Sequence, residues 1–175
     1  MDYTIIRSRR KTISVEITPR GDILVRCPNR MKKADIETFL KSKEVWIKAH
    51  LPQEQVKVLS DAEVSLLRQQ AKEDLSRRVS HFASLVGVDF DRITIRSQKT
   101  RWGSCTAKGN LNFNCLLMLA PPEIRNYVVV HELCHRKEMN HSPAFWAEVE
   151  AVLPDYRVRR KWLKENGTAL IAKLP

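Results

Sequence analysis

Val130-His131-Glu132-Leu133-Cys134-His135-Arg136-Lys137-Glu138-Met139-Asn140-His141-Ser142-Pro143 is the stretch on which the reading of this chain turns. Residues four apart on an α-helix are separated by about 40° around the axis and about 6 Å along it. His131 and His135 therefore project from one face and can share a single ion. Glu132 sits about 100° round from His131, placed to reach a metal-bound water without binding the metal. A catalytic zinc usually has three protein ligands and one open position, so a third ligand is required. His141 would point about 120° off the ligand face if the helix continued. The chain must turn before it, and Met139-Asn140 is the expected place, because Asn tolerates left-handed backbone. Ser142-Pro143, the cap and first turn of a new helix, independently requires a break here.

Chance gives H-E-x-x-H roughly once in a hundred shuffles of this composition, and a third His at one fixed offset roughly a few times in ten thousand. A purely structural zinc site would normally close its fourth position with Cys or His. Cys134 lies on the wrong side of the helix to do so.

Working outward, the motif helix is expected from about Glu123 to Lys137, after Pro121-Pro122. Before it come a strand at Ile93 and Ile95, turns at Gly103 and Lys108-Gly109-Asn110, and a strand over 111–117. A long helix, capped by Asp61 and closed by Gly87, precedes these. Gln53 to Ser60 reads as a linker. Ile36, Phe39, Leu40, Trp46 and Ile47 mark one amphipathic helix ending near Pro52. At the start, Tyr3-Ile5, Ile13-Val15-Ile17 and Ile23-Leu24-Val25, with the turn Pro19-Arg20-Gly21-Asp22, predict a three-stranded meander. Beyond the motif, a helix from Ser142-Pro143 is followed by a last one from Asp155 to about Asn166, closed by Gly167. The fold class is α+β: an N-terminal β-rich subdomain with a helix, 1–55, and a metal-binding domain of sheet and helices, 56–175.

The 175 residues are 43% hydrophobic, enough for a core and against a disordered chain. No apolar run suits a bilayer, and MDYTIIRSRRK lacks a secretory h-region. A cytoplasmic location is expected, with Cys27, Cys105, Cys115 and Cys134 as free thiols. The net charge of +11 is spread along the chain. It would suit a nucleotide or nucleic acid, or serve only as a solvated surface.

With these residues the chain resembles the YgjP-like metallopeptidases, relatives of the SprT-like and WLM zincins. The likeness runs over nearly the whole length: Arg9-Arg10-Lys11-Thr12-Ile13-Ser14, Phe39-Leu40, Trp46-Ile47, Arg101-Trp102-Gly103-Ser104-Cys105 and Tyr127 to His135. Asn140-His141-Ser142, Phe145-Trp146, Pro154-Asp155-Tyr156 and Trp162-Leu163 complete it. The resemblance implies a small zincin-like fold, a sheet beside an active-site helix, with zinc on His131, His135 and His141. The spacing also fits the metzincin pattern. Glu138 stands where that clan has its turn glycine, however, and no Met-turn follows. Glu148 and Glu150 stay open as alternative third ligands.

A donor other than zinc is needed for the charge that develops on the substrate oxygen. Tyr156, Arg157 and Asn140 are candidates, and the Pro-Asp-Tyr block favours Tyr156. Asp155 is the candidate acceptor for a ligand histidine. Phe145, Trp146 and Trp162 read as core. Trp102 to Cys105 precede a strand that could border the cleft, where an extended substrate would pair.

The expected function is that of a zinc metallopeptidase whose zinc-bound water is activated by Glu132. A phosphoanhydride hydrolase acting on nucleotides, and a non-enzymatic nucleic-acid- or protein-binding module with structural zinc, are the alternatives. No membrane partner is expected.

Overall fold

Ile23, Val25 and Cys27 alternate along one strand and all three side chains are buried, the period of a sheet face turned to a core. In the computed structural model, which describes residues 2–52 and 56–175, this strand is β3 (Ile23–Pro28). It lies between β1 (Thr4–Ser8) and β2 (Ser14–Ile17), in the order β1-β3-β2. β2 pairs antiparallel with Val15 opposite Val25, but β1 runs parallel with Ile5 opposite Val25. The expected meander is corrected here, since a meander would set β2 in the middle. The central place goes to the strand with the most apolar buried face, and the two half-exposed strands take the edges.

Two helices cover this sheet, where one was expected: α1 (Lys33–Ser42) and α2 (Glu44–His50). The Ser42 hydroxyl donates to the Phe39 carbonyl and the Lys43 N–H to that of Leu40, competing with the helical ladder at the break. Ile36 and Ile47 are fully buried beside Val25 and Cys27, forming the core of the first compact unit, Met1–Lys57. Part of the expected linker, 53–55, and with it the expected boundary after residue 55, lies outside the described residues.

The second unit, Val58–Pro175, opens with α3 (Asp61–Val86). Its cap is Ser60, one residue before the expected Asp61. The Ser60 hydroxyl accepts from the Glu63 N–H, and the Glu63 carboxylate accepts from the Ser60 N–H at 2.7 Å, a reciprocal arrangement that satisfies two otherwise orphaned donors. Gly87, at φ +75°, ends the helix. Leu67, Ala71, Leu75, Val79 and Phe82 form its buried stripe, packed on α4 (Pro122–Cys134). Asp74, Arg78, Arg125 and Asn126 join the two helices through ion pairs and a hydrogen bond.

β4 (Ile93–Arg96), β5 (Gly103–Cys105) and β6 (Leu111–Asn114) make a second sheet in the order β4-β6-β5, with β4 parallel and β5 antiparallel to β6. The expected strand over 111–117 stops at Asn114, whose side chain accepts from the Leu116 N–H and caps a 3-10 helix, Cys115–Leu119. The same side chain donates to the carbonyls of Gln98 and Arg101 at 2.7 and 3.0 Å, bracing the loop that leads into β5. α5 (Pro143–Val152) and α6 (Tyr156–Ile171) complete the unit. Gly167 does not close α6; it lies inside it. A Cβ there would come within 3.1 Å of the Trp102 indole nitrogen, so the glycine makes room for Trp102. Among the described residues no helix is long and apolar enough to cross a membrane.

The α+β class expected from the sequence is what is observed, with a sheet beside the helix that carries His131.

Candidate metal centre

α4 begins with Pro122 in its first turn and buries Val128, Val129, Val130, Leu133 and Cys134. It ends earlier than expected, at Cys134, and His135 is its C-cap. Arg136 and Lys137 then donate to the carbonyls of Leu133 and Cys134, tightening the last turn. The reversal toward His141 therefore starts at His135. It needs no left-handed Asn140, since no described residue other than glycine has positive φ. Ser142 caps α5 by accepting from the Phe145 N–H at 3.2 Å, which sets Phe145 under the cluster.

The three histidines converge. Their ligand atoms all lie within 4.8 Å of one another, and the Nε2 atoms of His131 and His141 are 2.9 Å apart. Ring nitrogens around one tetrahedral zinc stand about 3.4 Å apart, a value inside this range. The fully buried Phe145 ring approaches all three at 4.5–4.9 Å. It is a floor to the cluster as well as a core residue. Burial, and then the two neighbouring histidines, pull His131 down to about 3. It is therefore neutral near pH 7, as a metal ligand must be. Among the described residues no group satisfies the buried Nδ1 of His131. His135 Nδ1 meets the Glu138 carbonyl at 3.0 Å, so its N–H donates there and leaves Nε2 as the free lone pair. This nitrogen donor set, with no carboxylate among the ligand atoms, suits zinc.

The alternative ligands are engaged elsewhere. Glu148 pairs with Lys137 at 2.7 Å and Glu150 with Arg157 at 2.6 Å. Asp155, expected to orient a histidine, instead pairs with Arg159 four residues on. Among the described residues no cysteine joins the cluster. Burial pushes the Cys134 thiol up to about 12, and burial followed by Glu132 raises that of Cys105, which makes both poor nucleophiles.

Glu132 is buried outside the histidine cluster and lines a cleft of about 260 Å³ with His131, Tyr127, Arg101 and Gly103. Burial pushes its carboxyl up to about 8, with Arg101 pulling the other way. The carboxylate rests on Gly103 of the edge strand β5. A Cβ there would stand 2.5 Å from Glu132 Oε1 and 2.8 Å from its Cδ, so only glycine fits without moving the carboxylate. Gly103→Ala is expected to keep fold and metal content while lowering turnover on any substrate by about 100-fold, the scale of an ångström misplacement of a reacting group. Circular dichroism, metal analysis and a rate assay check this together.

Tyr156 is buried and stacks on Trp146 at 5.3 Å, while Trp146 stacks on His141 at 5.7 Å. It lines a different cavity, with Arg157, Arg160 and Lys164. The phenol in the cleft is Tyr127, 5.9 Å from the His131 ring, and burial raises it to about 12. Tyr127 and Arg101 carry part of the family resemblance in the sequence, which gives them no role in the site. Tyr127 lies four residues before His131 on the same helix, and that spacing was the available signal. Arg157 pairs with Glu150, and among the described residues Asn140 is seen only to accept the Ser142 N–H through its carbonyl.

Among known proteins, residues 52–166 match the family model described as the YgjP-like metallopeptidase domain. No curated protein sequence matches the chain. Solved structures similar to it include the metallopeptidase zymogen of Pyrococcus abyssi abylysin, at 23% identity and a TM-score of 0.47, covering 52% of this chain and 93% of that one. The metallopeptidase zymogen of Methanocaldococcus jannaschii jannalysin follows at 21% identity and a TM-score of 0.44, covering 51% and 91%.

Proposed function

Because the chain belongs to the YgjP-like metallopeptidase family, whose chemistry implies a divalent metal, we propose that it is a zinc-dependent peptidase with His131, His135 and His141 as ligands and Glu132 as general base. One observation carries this reading. Three imidazoles converge while the carboxylate beside them stands outside the ligand set, facing the cleft. Zinc bound there would supply a Lewis acid that polarises the scissile carbonyl and acidifies water.

The residues of the chain divide the remaining work. Glu132 must be anionic to act, and Arg101 together with a bound cation would bring its carboxyl down from about 8. It takes the proton of the attacking water and delivers it to the leaving amine nitrogen. Tyr127, whose hydroxyl keeps its proton to about 12, is available to donate to the developing oxyanion. Tyr156, behind Trp146, positions His141 through the ring stack. Extended substrate pairs with the open edge of β5, beside Gly103. Cys27, Cys105, Cys115 and Cys134 are free thiols, in keeping with the reducing cytoplasm as its place of action.

The test is metal removal and return on a quenched-fluorescence peptide library. Hydrolysis is expected from the zinc-loaded chain, to vanish with chelator and to return with one equivalent of zinc. A zinc-loaded chain that leaves every peptide intact while turning over nucleoside triphosphates would overturn the peptidase reading.

A further inference from the structure

Arg78, Arg125, Arg136, Arg157 and Arg159 each pair with a carboxylate. Arg68 on α3 and Arg96 at the end of β4 do not, among the described residues, and both line one cavity of about 680 Å³. The sheet register shows where it lies. Ser104 stands opposite Asn112, and Arg96 opposite Asn114, two residues further along β6. Alternate residues of a strand point the same way, so Ser104, Asn112 and Arg96 share the outer face of the sheet. Leu111 and Phe113, on the other face, are buried in the core. Gly103 faces Glu132, and its neighbour Ser104 therefore turns away from the metal centre.

The polar groups of the cavity are held in place. Arg68 Nε donates to the Ser97 hydroxyl at 2.9 Å, which leaves its two terminal nitrogens unpaired. Asn112 Nδ2 donates to Ser104 Oγ at 3.2 Å, so the Ser104 O–H keeps its proton for another acceptor. The Gln98 side chain also lines the cavity, and among the described residues no acidic one does. A neighbouring cavity shares Arg68 and Ser97 and adds Lys99; Asp61 and Pro175 line it too, but neither pairs with Arg68. A polar outer face is ordinary for a one-sided sheet. Two cations gathered without a counter-charge are not, because like charges repel.

We propose that this cavity binds a phosphate group, free or carried on a side chain of a peptide, through Arg68 and Arg96. A phosphate monoester carries about −1.5 to −2 charges near pH 7 and three acceptor oxygens. That matches two guanidiniums together with the donors of Ser104 and Gln98. A carboxylate, with one charge and two oxygens, would leave part of the set unused. The site takes no residue from the metal centre and stands apart from the peptidase reading. A phosphorylated segment laid along the open edge of β5 would bring alternate side chains to this face.

Calorimetry on the full-length zinc-loaded protein, in buffer free of phosphate and sulfate, tests this with four probes. They are inorganic phosphate and three alanine pentapeptides blocked at both ends, with phosphoserine, serine or glutamate at the centre. The phosphoserine peptide is expected to bind at least ~10-fold tighter than the other two, as a charge-assisted bidentate contact allows. Arg68→Gln or Arg96→Gln should lower that affinity severalfold, and both together should bring the three peptides level. Inorganic phosphate binding as tightly as the phosphoserine peptide, or in its place, assigns the site to free phosphate. A phosphoserine peptide that outbinds it severalfold assigns the site to a phosphorylated chain. Zinc itself attracts phosphate, so His141→Ala is the control and should bind as the parent does. Binding that survives the double arginine variant, or is lost with His141→Ala, would overturn the proposal. So would a glutamate peptide as tight as the phosphoserine one, or no binding by either phosphate probe.

Discussion

Glu132→Gln should retain zinc and fold yet lose turnover by about 10²–10⁴-fold, the usual worth of a general base. Gln preserves the size and helix propensity of Glu, and it relieves the burial of a charge in the metal-free protein. The sign of that relief is checkable. The carboxyl protonates near 8 in the folded chain against 4.5 when exposed. The folded state therefore holds the extra proton between those values, and stability falls as pH rises through the window. Metal-free Glu132→Gln should accordingly melt above the metal-free parent at pH 8 and level with it near pH 4.5. The catalytic loss should fall on kcat at saturating substrate and leave KM nearly unchanged, because the variant keeps the substrate contacts. Full activity of this variant on a verified peptide would remove Glu132 from the mechanism.

The second large effect concerns the third ligand. His141→Ala should lower zinc content from about one per chain to near zero after dialysis against a mild chelator, since two imidazoles alone hold zinc poorly. His141 is exposed and follows the last turn of α4, so the substitution should leave the core intact. Glu148→Ala and Glu150→Ala should keep their zinc, because those carboxylates are paired with Lys137 and Arg157. Zinc retained by the His141 variant and lost from either glutamate variant would move the third ligand to α5.

The histidines were legible because two of them share a helix face and the third is announced by a new cap at Ser142. Both are local signals, and the structure brings the three rings together. The partners of the site were harder to read. Glu132 rests on Gly103, 29 positions earlier in sequence, and nothing in a local pattern shows that a glycine is there to admit a carboxylate. The parallel pairing of β1 with β3 was hidden for a related reason. Alternation tells which face of a strand is buried, not which strand lies beside it. Asp155 pairs with Arg159 and not with a histidine, and the sequence carries the clue, since Arg159 stands four residues on, in ordinary ion-pair spacing. Gly167 has the look of a helix end in sequence, whereas in the fold it makes room for Trp102; a glycine in sequence does not distinguish termination from close approach.

X-ray absorption at the zinc edge of the reconstituted chain tests the central claim most directly. The expected spectrum has three imidazole nitrogens and one oxygen neighbour at about 2.0–2.1 Å, with no sulfur shell. A spectrum dominated by sulfur at about 2.3 Å would place the metal on the cysteines and contradict the three-histidine centre.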